Sequence, residues 1–418
     1  MSLKTYFYLA AFTTLLCFDC FSQTTPQPGV IDATKFDFEH KRLSLSGTWI
    51  WYDNKLITPE ELKFNDGVPT EVPGTWNERR TNERGQGYAT YQLTLILPPV
   101  AEQMSLEMPH MYSSYILFAN GKEITRNGTP GNTAENTIPQ WKPGVVPLIY
   151  ESDTVQLVLQ ISNFHHNKGG MKEPIMLGFA SLLAQKEFLS LVGKTVAVGL
   201  LLILAIGFFI VYFRYGMKPV VIYFSLLCLT WVARSMFSND YMITKFFPDF
   251  NWYLAVRVEY ITLYLEMIWA VLFLVALFKN EGNRVVKYIL VAVNLGFTIY
   301  TLITPPVEFT TLLQLYLVTA GVLLVYGAGV VLVALINERK GATFLTISVM
   351  LGLLIYSYDI FAYEGWFSYN SVVFSAGYLI IFLLMGTALL LHLGIIKGNN
   401  TTTTMLTYKD LYGDGESK

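Results

Sequence analysis

Residues 190–396 hold seven stretches of almost unbroken apolar sequence, separated by short polar breaks. They fall near 190–213, 219–238, 252–277, 285–303, 310–336, 342–362 and 372–396. A helix rises about 1.5 Å per residue, so each stretch can cross a hydrocarbon core about 30 Å thick. In lipid, every backbone N–H and C=O must be satisfied within the protein, which leaves helices as the reading for runs of this length. Charged residues make up only 14% of the chain, against about a quarter in an ordinary soluble domain. The net charge of −2 leaves no basic excess for nucleic acid.

The loops give the array a direction. If the segment before it is exported, the inner side carries Arg214, Lys218, Lys279, Arg284, Lys287, Arg339, Lys340 and Lys397, and the outer inter-span loops carry only Lys245. This asymmetry follows the positive-inside rule and places the C-terminus on the cytoplasmic side of the membrane. Residues 1–23 agree with it. Lys4, the apolar run Tyr6–Cys17 and Phe21-Ser22-Gln23 have the layout of a secretory signal peptide. Residues 24–42 read as an extended polar linker and 397–418 as a short cytoplasmic tail, too short for an enzyme domain.

Residues 43–185 have another character. Tyr91, Leu93, Leu95 and Leu97 alternate with polar residues, as do Val155, Leu157, Leu159 and Ile161. Period two marks half-buried strands. Asn120-Gly121, following Tyr115–Ala119, signals a tight hairpin whose two central residues have positive φ. Trp49 and Trp51 share a strand parity, so that face is expected to pack. The pattern predicts an all-β sandwich or jelly roll. Apart from Cys17 and Cys20, the chain has only Cys228, so neither disulfides nor a thiolate metal site can hold this domain.

Ser46-Gly47-Thr48-Trp49, Val72-Pro73-Gly74-Thr75-Trp76, Gly87-Tyr88-Ala89-Thr90-Tyr91, Asn120-Gly121-Lys122 and Ser162-Asn163-Phe164-His165-His166-Asn167-Lys168-Gly169-Gly170 resemble the galactose-binding-like jelly roll that accompanies glycoside hydrolases. Placed before seven spans, they resemble the bacterial seven-transmembrane receptors with diverse intracellular signalling modules. The resemblance covers most of residues 43–396. It implies a multi-domain membrane protein, with an all-β outer domain that binds a small ligand, carbohydrate among the classes, and an α-helical seven-transmembrane bundle that relays the signal. Such receptors usually end in a kinase, cyclase or phosphatase. No such module follows residue 396 here, so the output falls to a separate cytoplasmic partner or to sequence beyond Lys418, and no enzyme activity is expected of these residues.

Two groups of candidate residues follow. Trp76, Tyr88, Tyr112 and Trp141 are aromatics suited to stacking on sugar rings, and His165, His166 and Lys168 sit in a loop just past a strand, where sandwiches bind ligands. The competing role for each is core packing, or for the histidine loop a structural contact with the spans. Adjacent histidines point apart in extended chain and no third ligand is spaced to join them, so no metal or cofactor is expected. The second group is Arg234, Arg257, Glu259, Glu266 and Asp359, charges within spans two, three and six. Charge at membrane depth costs several kcal/mol unless paired or wet. All but Glu266 fall near the outer span ends, which predicts a polar pocket or salt-bridge lock coupling outer domain to spans; snorkelling side chains are the alternative.

The alternative function is a transporter, or a carbohydrate-handling membrane protein, using the intramembrane carboxylates. No internal repeat supports transport, span seven has no central lysine to hold retinal, and no second membrane aspartate supports an aspartyl protease. The expected partners are the bilayer, the exported-side ligand, a cytoplasmic signalling protein and a second copy of the chain.

Overall fold

The structure, a computed structural model, describes residues 27–64, 66–80, 85–99, 102–214, 216–238, 241–363 and 370–396. The expected signal peptide and tail lie outside the described residues. The chain divides into two compact units. One holds the described part of residues 1–192 together with 236–258 and 303–313; the other holds 193–235, 259–302 and the described residues from 314 onward.

The first unit is built on strands. In chain order they are β1 (Val30–Asp32), β2 (Leu43–Ser44), β3 (Gly47–Asp53), β4 (Val68–Val72), β5 (Gly74–Thr75), β6 (Gly87–Ile96), β7 (Met104–Met108), β8 (Ser114–Ala119), β9 (Lys122–Asn127), β10 (Gly144–Pro147), β11 (Thr154–Asn163), β12 (Gly170–Met171) and β13 (Met176–Phe179). The larger sheet runs β4-β3-β6-β11-β8-β9, with β1 added parallel to β6; the smaller runs β10-β7-β13-β2. Their inner faces share one core. Trp49, Tyr91, Leu93, Leu95, Leu117, Leu157 and Leu159 from the larger sheet meet Met104, Leu106, Met108 and Leu177 from the smaller. This is a sandwich-like all-β domain, and the alternation of β6 and β11 is what builds it.

Three details extend the sequence reading. Asn120 (φ 47°) and Gly121 (φ 83°) both take positive φ, as the two-residue β8–β9 hairpin requires. The outer face of β11 is not solvated, because the segment after β3 folds over it: Val158 packs with Tyr52, Ile57 and Leu62, and Gln160 donates to the Ile57 carbonyl at 3.0 Å. Within the stretch read as a linker, β1 pairs with β6, and Ala33 and Phe38 enter the core.

Among the described residues, seven helices are long and apolar enough to cross a membrane. They are α1 (Ala180–Arg214), α2 (Pro219–Phe237), α3 (Trp252–Leu277), α4 (Arg284–Ile303), α5 (Leu313–Ile336), α6 (Ala342–Tyr363) and α7 (Ser371–Leu393). Asn370 caps α7 by accepting from the N–H groups of Val372 and Val373, and Gly394 ends it at φ 71°, three residues before its apolar stretch was expected to stop. The larger difference is at α1. It starts at Ala180, directly after the last residue of β13, rather than near 190. At about 1.5 Å per residue, its length exceeds the hydrocarbon core by roughly 20 Å. Hydropathy could not see this first stretch, which contains Gln185, Lys186 and Glu187.

Candidate functional site

At the end of β11, Asn163 is fully buried and organises the loop that follows. Its Nδ2 lies 2.8 Å from the Gly85 and His166 carbonyl oxygens and 2.9 Å from that of Lys168, while its Oδ1 accepts from the His166 N–H at 3.0 Å. The inward parity of β11 thus continues two residues past Ile161, the last of its alternating apolar residues. The Lys168 N–H donates to Nδ1 of His166 at 3.0 Å, and the ring stacks on Tyr112 with centroids 5.0 Å apart. Burial pushes the His166 ring down to about 4.

His165 faces the other way. Its ring packs edge-on against Trp252 (6.2 Å) and Tyr253 (5.6 Å) at the start of α3, and burial lowers its pKa, with Glu135 opposing the shift. The Asn167 N–H donates to the Thr310 hydroxyl at 3.0 Å. Trp141 is packed against Tyr241 at 4.1 Å and Trp252 at 5.5 Å, and donates its indole N–H to the Tyr112 carbonyl at 2.9 Å. His110 sits edge-on to Tyr112, Trp141 and Tyr241. Lys245 forms a salt bridge with Glu187 and donates to the Pro143 carbonyl at 3.3 Å; Gln140 donates to the Pro248 carbonyl at 3.2 Å. A seam rich in aromatic and histidine side chains therefore joins the β domain to the segments before α3 and α5, all within one compact unit.

This geometry corrects several candidates. Trp76 is fully buried, its indole N–H bonded to the Tyr91 hydroxyl at 2.7 Å and Arg80 lying 4.3 Å from its ring centroid. It is core and offers no face to a sugar. Tyr112, Trp141 and His166 are also buried, as members of the seam. Only Tyr88, His165 and Lys168 keep partial exposure, with Tyr88 6.4 Å from Phe164. The sequence reading missed His110, Tyr241, Trp252 and the Glu187–Lys245 pair. Aromatics at span ends are ordinary interfacial anchors, so Tyr241 and Trp252 carried no distinguishing signal.

In the second unit, the membrane charges partly converge. Glu259 and Glu266 lie seven residues apart on one face of α3. Arg234 of α2 donates to the Glu259 carbonyl at 3.1 Å, and its Nε lies 3.8 Å from Oε2 of Glu266, a charge contact too long for a hydrogen bond. Asp359 of α6 and Tyr378 of α7 lie within electrostatic range of Arg234. Glu266 is buried, and its Oε1 has no hydrogen-bond partner among the described residues. On the α4–α5 side, the Tyr316 hydroxyl bridges Asn294 Oδ1 (3.1 Å) and the Leu263 carbonyl (3.2 Å). Arg257 does not join this group. Two residues before Glu259, it emerges about 200° around the helix, donating to the carbonyls of Thr304 (3.0 Å) and Tyr253 (3.2 Å) within the first unit. Lys194, buried within α1, is a further charged residue that the sequence reading passed over. No cluster of three or more metal-ligating side chains occurs among the described residues.

A family model for 7TM diverse intracellular signalling matches residues 193–406. No curated protein matches the chain. Similar solved structures include a β-glucuronidase from Faecalibacterium prausnitzii, with 17% identity over 33% of this chain and 31% of that one, TM-score 0.25. A Ruminococcus gnavus β-glucuronidase has 17% identity over 33% and 28%, TM-score 0.26. A β-galacturonidase from Eisenbergiella tayi has 16% identity over 33% and 24%, TM-score 0.24. The chain thus spans less than a third of the length of these enzymes.

Proposed function

Because the chain belongs to the 7TM diverse intracellular signalling family, we propose that it is a bacterial cell-envelope receptor in which the β domain senses a small exported-side ligand, of carbohydrate class, and the spans relay its occupancy to the cytoplasm. The observation that carries this reading is the seam. Segments 236–258 and 303–313, which adjoin α2, α3, α4 and α5, fold into the same compact unit as the β domain. A ligand that repacks the loop of His165–Lys168 therefore acts on residues continuous with the spans. It shifts the equilibrium only by its differential affinity for the two arrangements. The Arg234–Glu266 contact, held at 3.8 Å without a hydrogen bond, is the element poised to exchange partners. On the inner side, Glu281 pairs with Arg339 at 2.6 Å, so loops 278–287 and 337–341 form one surface for a separate signalling protein.

The test uses the full chain in lipid nanodiscs, with a spin label at Lys279→Cys, titrated with a panel of neutral and acidic monosaccharides. A sugar that raises the melting temperature and changes the label spectrum, with the spectral change lost in Arg234→Gln or Asp359→Asn, supports the relay. Binding with an unchanged inner label overturns the relay, and no response to any sugar overturns the ligand class. One observation favours a second reading: the unpartnered buried oxygen of Glu266 suits a proton- or cation-coupled transporter. Accumulation of labelled substrate in vesicles would establish that instead.

A further inference from the structure

The segment between α2 and α3 presents Phe246 and Phe247 to the outside, 56% and 59% exposed, at the end of the one-turn helix Ile243–Phe246. Single exposed apolar residues are ordinary on protein surfaces. These two are not isolated. Gln140 bonds the Pro248 carbonyl, which brings the strip around Ile138 to the same segment, and Ile138 is 60% exposed. On the other flank, Lys245 pairs with Glu187, and the next two residues of α1, Phe188 and Leu189, are 63% and 54% exposed. The β domain, the α2–α3 segment and the emerging end of α1 thus contribute to one apolar rim.

We infer that this rim is seated in the interfacial layer of the bilayer, with Phe246 and Phe247 inserted at the boundary between headgroups and acyl chains. Three observations select lipid as the occupant. The segment is tethered at both ends to spans, at Phe237 and Trp252, so its midpoint stays at the membrane surface. Leu189 is followed along α1 by Val192, Val196 and Leu200, which are also exposed and share its helix face, so the rim runs on into the apolar stretch long enough to span. Its cation, Lys245, is already neutralised by Glu187, so insertion rests on apolar burial and not on anionic lipid. The β domain would then be held to the bilayer through its own contacts as well as through α1, and a change in lipid packing would reach the His165–Trp252 seam through the same segment.

The experiment uses the full chain with Cys17, Cys20 and Cys228 replaced by Ser and a nitroxide at Phe246→Cys or, separately, Phe247→Cys. Each is reconstituted in phosphatidylcholine vesicles and in vesicles that also contain phosphatidylglycerol. The expected result is a ratio of oxygen to nickel-chelate accessibility several-fold above that of a label at Lys122→Cys, a β-domain position 80% exposed, and equal in the two lipid mixtures. A ratio matching Lys122→Cys at both positions places the rim in water and overturns the inference. Spin–spin broadening that disappears on dilution with unlabelled chain shows a second copy covering the rim and overturns it equally. A ratio high only with phosphatidylglycerol overturns the apolar basis of insertion. The two positions are read independently, so one badly folded variant does not decide the outcome.

Discussion

His166 couples the seam to acidity. In the unfolded chain it titrates near 6.5, whereas burial holds it near 4 in the fold. Between those values the unfolded state binds more protons, so stability rises with pH across the window. The contribution is complete above 6.5 and lost as pH falls through 4, amounting to about 3 kcal/mol at most. Thermal melts from pH 7 to pH 4 should show this loss, and His166→Phe, which keeps an aromatic ring beside Tyr112, should flatten the slope relative to wild type. At this scale the sequence was unevenly legible. The alternation read at Val155, Leu157, Leu159 and Ile161 extends to the buried Asn163, because period two continues until the strand ends. Trp76 could not be placed, since an aromatic side chain serves a core and a sugar site with the same chemistry. Only its bond to Tyr91 tells the two apart.

Among elements, α1 is the joint. Its first turns are tied to the β domain by Lys186 to Glu107 at 3.1 Å and to the α2–α3 segment by Glu187 to Lys245, and Arg42 holds the other oxygen of Glu107 at 2.6 Å. Lys245→Glu should destabilise the first unit modestly. Adding Glu187→Lys should recover about 0.2–1 kcal/mol, the coupling typical of partly exposed pairs, as a double-mutant cycle of melting temperatures would show. Hydropathy located the lipid-crossing part of every helix because the bilayer imposes a length. It placed the start of α1 late because Gln185, Lys186 and Glu187 interrupt the apolar run, while Lys186 and Glu187 are held by pairing with Glu107 and Lys245. The hairpin at Asn120-Gly121 was legible for the opposite reason: its conformation is dictated by the two residues themselves.

For the whole molecule, the charge asymmetry of the loops sets a direction that can be checked without any ligand. Alkaline phosphatase fused after Pro248 should be active, and fused after Lys340 inactive, because only the exported reporter folds. The reverse pattern would turn the receptor reading upside down. The division into an all-β part and seven helices was readable from periodicity, which depends only on local geometry. The assignment of 236–258 and 303–313 to the β unit was not, because packing between residues so distant in sequence leaves no periodic trace.

The direct passage from β13 to α1 has a consequence for how the protein is made. β13 is an interior strand of the smaller sheet, lying between β7 and β2, and β2 has no other neighbour there. In the proposed orientation, residues 176–179 would reach the exported side only as α1 is threaded into the membrane behind them. Until then β2 has nothing to pair with, and Tyr241, Trp252 and Thr310, which complete the seam, are still to be translated. The β unit, begun first, is therefore complete only once the segments 236–258 and 303–313 have been made.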